Sequence, residues 1–237
     1  MTGVQTCGLP IFVQTNTSAL EEGLIKKIIS LLPQSDFFYY YGLTEASRST
    51  FISLSKNPDK INSVGCPLRG VEIKIIDEEG GSLKPMEIGQ ICIKGEHVVE
   101  GYWGNPEASN KIKNGWLYTG DAGFIDEDGF LYFSGRNGDI INVSGEKVMP
   151  EEIEGLARQF SGVQEAAATS VSDSLFGERV KLYIVPEKDS FDPELLMDYF
   201  KKNLEHHKIP KEIKIVEKIF YTDNGKLQRK KIKEYYA

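Results

Sequence analysis

The chain has 237 residues, a net charge of −7, 40% hydrophobic and 27% charged residues, which is enough ordinary soluble sequence for one large or two smaller domains. The acidic balance argues against a nucleic-acid backbone as partner, and no apolar run approaches the roughly 18–20 residues that a membrane span needs. Cys7, Cys66 and Cys92 are odd in number and not at metal-ligand spacing, which points to a reducing cytoplasm.

Met1–Ile11 lacks the apolar core of a signal peptide and the Arg-rich face of a transit peptide. It resembles translated sequencing-adaptor sequence and reads as a leader outside the fold. Phe12–Thr15 predicts a short strand. Ser18–Leu32 predicts an amphipathic helix, with Ser18 and Glu21 at capping-box spacing and Leu24, Ile25, Ile28, Ile29 and Leu32 on one face. Pro33 stops it. Phe37–Tyr41 is an aromatic strand running into a glycine turn. Glu72–Asp77 and Gln90–Lys94 alternate like strands of a small sheet or barrel. Phe124–Ile125 and Phe130–Phe133 predict a hairpin across Asp128-Gly129. From Pro150 helices and strands alternate: helix at Glu151–Gln159, strands at Glu165–Val171 and Val180–Val185, helix at Pro193–Asn203, strand at Glu212–Val216, helix at Lys230–Tyr235. The change of texture places a boundary at Gly135–Asp139.

Several motifs are superimposed on these elements. Phe38–Glu45 reads FYYYGLTE, Val64–Pro67 reads VGCP, Ile88–Gly95 reads IGQICIKG and Gly101–Glu107 reads GYWGNPE. Thr119-Gly120-Asp121 reads as an Asp in a glycine turn before the hairpin; Gly135-Arg136 follows it, then a second glycine turn at Ser144-Gly145. Asp223–Lys230 reads DNGKLQRK. In order and spacing, from about Phe12 to Tyr236, the set resembles the adenylate-forming (AMP-binding) acyl-CoA synthetase and adenylation-domain superfamily, C-terminal half.

The resemblance implies an α/β and α+β architecture. Residues 12–135 would be the C-terminal part of the large AMP-binding domain, with a mixed sheet and a small β-barrel. Residues 136–237 would be a small mobile α+β domain, hinged at about 136–139. It implies an AMP-forming acid–thiol ligase of the kind that serves fatty-acid metabolism. A carboxylic acid reacts with ATP to give an acyl-adenylate, and a thiol, coenzyme A, then displaces AMP. Mg²⁺ is the expected metal and a carrier protein an alternative acceptor. By resemblance Tyr41 stacks on adenine, Gly42 adjoins it, Thr44 contacts the α-phosphate and Glu45 holds Mg²⁺. Asp121 accepts the ribose hydroxyls, and Arg136 contacts ribose or phosphate. Gly145 borders the pantetheine path, and Lys226 reaches the α-phosphate and acyl carboxylate.

Structural readings stand beside these. An aromatic among three consecutive tyrosines can be core, Thr-Glu can start a helix, Asp121 can hold an Asx-turn, and Gly145 can satisfy a positive φ. His97, His206 and His207 read as surface or core residues. The sequence departs from the family at Gly138, where many members carry Asp or Lys, and at Thr15–Ala19, where a Gly-Gly-Ala segment is usual. No Ser/Thr/Gly-rich lysine loop for the pyrophosphate occurs. Two alternatives follow: an enzyme that loads a carrier protein, and a non-catalytic AMP-binding fragment. The expectation for the chain alone is that it is inactive. Dinucleotide-binding G-x-G-x-x-G and P-loop motifs do not occur.

Overall fold

The computed structural model describes residues 12–15, 22–187, 191–223 and 225–237. The chain divides into two compact units, the first ending at Ser134 and the second beginning at Gly135.

In the first unit, β1 (Phe12–Thr15) lies parallel to β2 (Asp36–Tyr39), with α1 (Glu22–Leu31) between them in sequence. The proposed cap at Ser18–Glu21 falls outside the described residues. On α1 Ile25 is fully buried and Ile28 and Ile29 pack partly against the core, whereas Leu24, expected on the same face, is exposed. β3 (Thr50–Ser53) and β4 (Cys66–Pro67) complete a four-stranded sheet in the order β1-β2-β3-β4, antiparallel from β2 onward.

A five-stranded antiparallel sheet follows. β5 (Glu72–Ile76) pairs with β6 (Gly89–Lys94), and β6 with β8 (Trp116–Ile125). β7 (Ile112–Lys113) and β9 (Leu131–Arg136) both pair with the long β8. A one-turn helix, α2 (Pro106–Ser109), precedes β7. It is capped by the Asn105 side chain, which accepts the Ala108 N–H at 3.0 Å. Phe37, Tyr39, Ile52, Leu54, Ile75, Ile91, Ile93, Leu117 and Leu131 form one shared core. The odd positions of β6 supply it, as the period of a half-buried strand requires.

The second unit is a five-stranded sheet covered on both faces. A turn at Asn137–Asp139 leads into β10 (Ile141–Val143) and β11 (Glu146–Val148), joined by Ser144 and Gly145 at φ 54° and 93°. Two positive φ values in a two-residue loop are the geometry of a type I′ hairpin. Proline at the first position and acids in the first turn start α3 (Pro150–Arg158). β12 (Val163–Asp173) and β13 (Gly177–Pro186) form the central antiparallel pair. The chain returns through α4 (Pro193–Asn203), capped by Asp192, to β14 (Glu212–Ile215), parallel to β13, and closes with α5 (Arg229–Tyr235). Alternation assigns the two faces. Ala166, Ala168, Leu182 and Ile184 pack with residues of α3 and α4, while Ala167, Tyr183 and Val185 pack with Ile232 of α5. The expected mixed α/β unit followed by an α+β unit is what is found. No helix of the described residues is long and apolar enough to cross a membrane.

Candidate nucleotide-binding site

In the first unit the strand leaving Tyr39 carries Tyr41 into the core, where it is 8% exposed. Its amide donates to Thr50 Oγ1 at 3.1 Å, and its carbonyl accepts the Ser49 N–H at 2.8 Å. Its hydroxyl donates to Asp121 Oδ2 at 2.6 Å, and its ring lies 6.0 Å from that of Phe133. Asp121, 2% exposed, stands in β8 where three residues, Thr119–Asp121, oppose Ile91 of β6. The predicted glycine turn is thus a bulge inside a continuous strand, with Gly120 at φ 74° taking the conformation that a bulge demands. Thr119 Oγ1 donates to the Ile91 carbonyl at 2.8 Å and accepts the Asp121 N–H at 3.0 Å, fixing the backbone of the bulge at Asp121.

Gly42 is tightly confined: a Cβ there would lie 2.4 Å from the Arg48 nitrogen and 3.0 Å from the Ala46 oxygen. The reason is a tight turn. Leu43 and Ala46 exchange backbone hydrogen bonds of 3.0 and 3.2 Å across Thr44-Glu45. These two residues do not start a helix; they sit at a hairpin tip. Thr44 is exposed, and its hydroxyl has no hydrogen-bond partner among the described residues. Glu45 is half-buried and accepts a hydrogen bond from the Tyr102 hydroxyl, which in turn raises the Tyr102 pKa. Its backbone carbonyl accepts the Val99 N–H at 3.0 Å. His97 pairs with Ser49 Oγ at 2.9 Å. Tyr102 belongs to the GYWGNPE segment, so its motif was visible, but its partner 57 residues away was not.

Glu45 contributes one hard oxygen donor, and no group of three or more His, Cys, Asp or Glu residues able to hold a metal occurs among the described residues. A single carboxylate is a donor of the kind that Mg²⁺ takes, commonly together with substrate phosphates and water.

In the second unit Arg136 ends β9 and is exposed. Gly145 donates to Asn142 Oδ1 at 2.8 Å, and a Cβ placed on it would meet nothing within 4 Å. Its glycine is therefore demanded by φ and not by packing within the unit. Lys226 is exposed on a loop closed by the Thr222 N–H bond to the Lys226 carbonyl at 2.8 Å, with Gly225 at φ 74°. It makes no ion pair among the described residues. Three residues on, Arg229 is the centre of a polar cluster. Nη1 donates to Asp139 Oδ2 at 2.7 Å, and Nη2 to Glu151 Oε1 at 2.8 Å and Glu154 Oε2 at 2.9 Å. Glu154 Oε1 also accepts the Ala168 N–H at 2.8 Å. Burial pushes the Glu151 pKa up to about 7; Arg229 opposes the shift, and the Glu154 and Asp139 charges add to it. Burial raises Glu154 as well. The sequence displayed Arg229 inside the Gly-Lys-x-x-Arg segment but gave no sign of its three acidic partners.

Against this geometry the comparisons are specific. The AMP-binding enzyme family matches residues 9–103, and the AMP-binding enzyme C-terminal domain matches residues 152–226. The two regions together take in most of the chain, which belongs to the AMP-binding enzyme family. Among curated relatives, a long-chain-fatty-acid–CoA ligase of Salmonella typhimurium is 38% identical over 199 residues, 82% of this chain and 35% of that protein. An oxalate–CoA ligase of Arabidopsis thaliana is 34% identical over 83% of this chain and 39% of its own length. Among solved structures, o-succinylbenzoate CoA synthetase (MenE) of Bacillus subtilis, in complex with its acyl-adenylate intermediate, aligns with a TM-score of 0.86 at 30% identity, covering 94% of this chain and 46% of that one. The same enzyme with ATP and magnesium ion aligns with a TM-score of 0.83. The chain thus spans little more than a third of the curated relatives it matches, and under half of the structures.

Proposed function

We propose that the protein to which this sequence belongs activates a carboxylic acid with ATP and passes the acyl group to the thiol of coenzyme A. The carboxylate oxygen attacks the α-phosphorus and pyrophosphate leaves. The thiol sulfur then attacks the acyl carbonyl, and AMP leaves. The observation that carries this reading is the Tyr41 hydroxyl donating to the buried Asp121 carboxylate at 2.6 Å. A buried carboxylate that already accepts a hydroxyl hydrogen bond suits a ribose diol, whose hydroxyls would take over from Tyr41. Arg136 is assigned to the ribose or a phosphate, either of which its planar fork suits. The Thr44 hydroxyl at the hairpin tip is assigned to the α-phosphate. Glu45 is assigned to Mg²⁺, which when bound would neutralise phosphate charge. Lys226 is assigned to the α-phosphate and the acyl carboxylate, to which it brings a positive charge on a flexible stem, and Gly145 leaves the thiol's path open. The long-chain-fatty-acid and oxalate CoA ligases support an acid–thiol ligase and leave the acid itself open. A carrier-protein thiol is the competing acceptor. We place the protein in the cytoplasm, where the thiols of Cys66 and Cys92, both free, stay reduced.

In the complete protein, Lys226→Ala should abolish carboxylate-dependent ATP–pyrophosphate exchange, since one preorganised donor is worth about 3–4 kcal/mol of barrier. Thioester formation from supplied acyl-adenylate should largely survive. An equal loss in both half-reactions would sink the role given to Lys226. Comparing free coenzyme A with a holo-carrier protein in the second assay separates the two acceptors.

A further inference from the structure

We propose that Glu151 is a proton-sensitive positioning residue that sets how firmly α5, and with it the Lys226 loop, is tied to the Asn137–Asp139 turn. The geometry is a buried guanidinium shared by three elements. Arg229, 11% exposed, leads α5, starting three residues after Lys226, and it reaches the turn through Asp139 and α3 through Glu151 and Glu154. One positive charge faces three carboxylates. Glu154 is almost fully buried at 5% and is held by both Arg229 and the Ala168 N–H, so it is the member least able to give way.

Glu151 is placed differently. Oε1 accepts from Arg229, but Oε2 is buried with no hydrogen-bond partner among the described residues. It lies beside Gly135, two residues before the turn. A Cβ on Gly135, whose φ is 128°, would lie 2.4 Å from Oε2. A buried carboxylate oxygen without a donor is costly when charged and much less so when it carries a proton. Protonation leaves Oε1 free to accept from Arg229 and removes one of two excess negative charges. The groups facing Glu151 are Arg229 on α5, Glu154 on α3 and Asp139 on the turn. Beyond Glu154 stand Arg158 of α3 and the Tyr221–Glu165 pair. Only Arg229 and Arg158 are cationic.

The direction of the pH effect follows. In the folded protein Glu151 titrates at about 7, above its usual 4.5. Its protonated form is thus favoured by folding. The tie is unaffected below the usual value, weakens as pH rises through this window, and stays weakened above it. Glu151 in the folded protein is mostly protonated at pH 6 and mostly charged at pH 8, so the tie is weaker at pH 8 than at pH 6.

Two measurements on the 237-residue chain test this, and neither requires acyl activation. The first follows glutamate side-chain carboxyl carbons by NMR against pH. One resonance should show its inflection near 7 and be missing in Glu151→Gln. If every glutamate titrates in the ordinary range, the proposal fails, whatever the variant does. The second compares amide hydrogen exchange, corrected for intrinsic rate, in residues 136–143 and 226–232. In the wild type protection should fall several-fold between pH 6 and pH 8. In Glu151→Gln, which keeps the Oε1 acceptor and cannot ionise, protection should stay at the pH 6 level. Protection that is flat in the wild type, or that falls equally in both, would overturn the proposal. A purely structural role for the glutamate predicts such an equal fall.

Discussion

Asp121 and Tyr41 show how much one residue pair constrains. Their sequence separation is 80, and the contact exists because a bulge turns β8 inward at Gly120. If Asp121 receives the ribose hydroxyls, Asp121→Ala in the complete protein should raise the KM for ATP about ten- to a hundredfold, the worth of one hydrogen bond to a charged group. Tyr41→Phe should change it only slightly, because the donor it removes is the one that ribose replaces. Steady-state kinetics, with thermal melting to confirm that both variants fold, decides the matter. An unchanged KM in Asp121→Ala removes the ribose assignment. The candidate residues were legible where a short motif names them, as in Tyr-Gly-Leu-Thr-Glu or Gly-Lys-x-x-Arg. Their partners were not. Nothing local in GYWGNPE reports that Tyr102 donates to Glu45, and nothing near Arg229 reports Asp139, 90 residues earlier.

The β8–β9 hairpin shows the same contrast at the level of elements. Asp128-Gly129 announces it, and Gly129 indeed takes φ 86°. What holds it is Asp126, whose Oδ1 accepts the Asp128 and Phe130 N–H groups at 3.0 and 2.8 Å, while Oδ2 pairs with Lys60 at 2.8 Å. Burial works against the charge of Asp126, yet Lys60, the Phe130 N–H and the Tyr132 hydroxyl together hold its pKa below the usual 3.8. A depressed carboxylate stabilises the fold above its unfolded pKa, and that contribution is lost as pH falls further. Asp126→Ala should destabilise the first unit by about 1–3 kcal/mol at neutral pH through the orphaned turn donors. The difference from wild type should shrink below pH 3.8. Urea melts at pH 7 and pH 3 measure both, and an equal difference at the two pH values would exclude the charged mechanism. Long elements such as β12, β13 and α4 were readable from the alternation of helical and strand patterns after Pro150. β3, β4, β7, β10 and β11 were not: four of them have only two or three residues, too few to show an alternation, and Thr50–Ser53 of β3 carries no aromatic run or flanking glycine turn to mark it. They exist only because a partner strand supplies their hydrogen bonds. The bulge in β8 was mistaken for a turn because glycine at positive φ serves both.

Across the molecule, each unit closes a core of its own, and the second does so on two sides. Ile141, Val148, Ile153, Leu182, Ile184, Leu196 and Phe200 are almost fully buried on one face of its sheet, and Tyr183 and Ile232 on the other. The helices that cover these faces come from within residues 135–237. The change of texture after the hairpin was visible in sequence because strand-turn-strand spacing gives way to longer helical periods. The pairing of β14 beside β13 was not, since a parallel neighbour needs a crossover whose destination no local pattern records. A chain of residues 135–237 should therefore fold alone and unfold in urea as a single cooperative transition. Its slope should be about 1 kcal/mol/M, as expected for a small domain. Coincident far-ultraviolet circular dichroism and tyrosine fluorescence curves would establish it. Non-coincident curves, or binding of a hydrophobic dye at neutral pH, would show instead that the two-sided core needs the preceding residues to form.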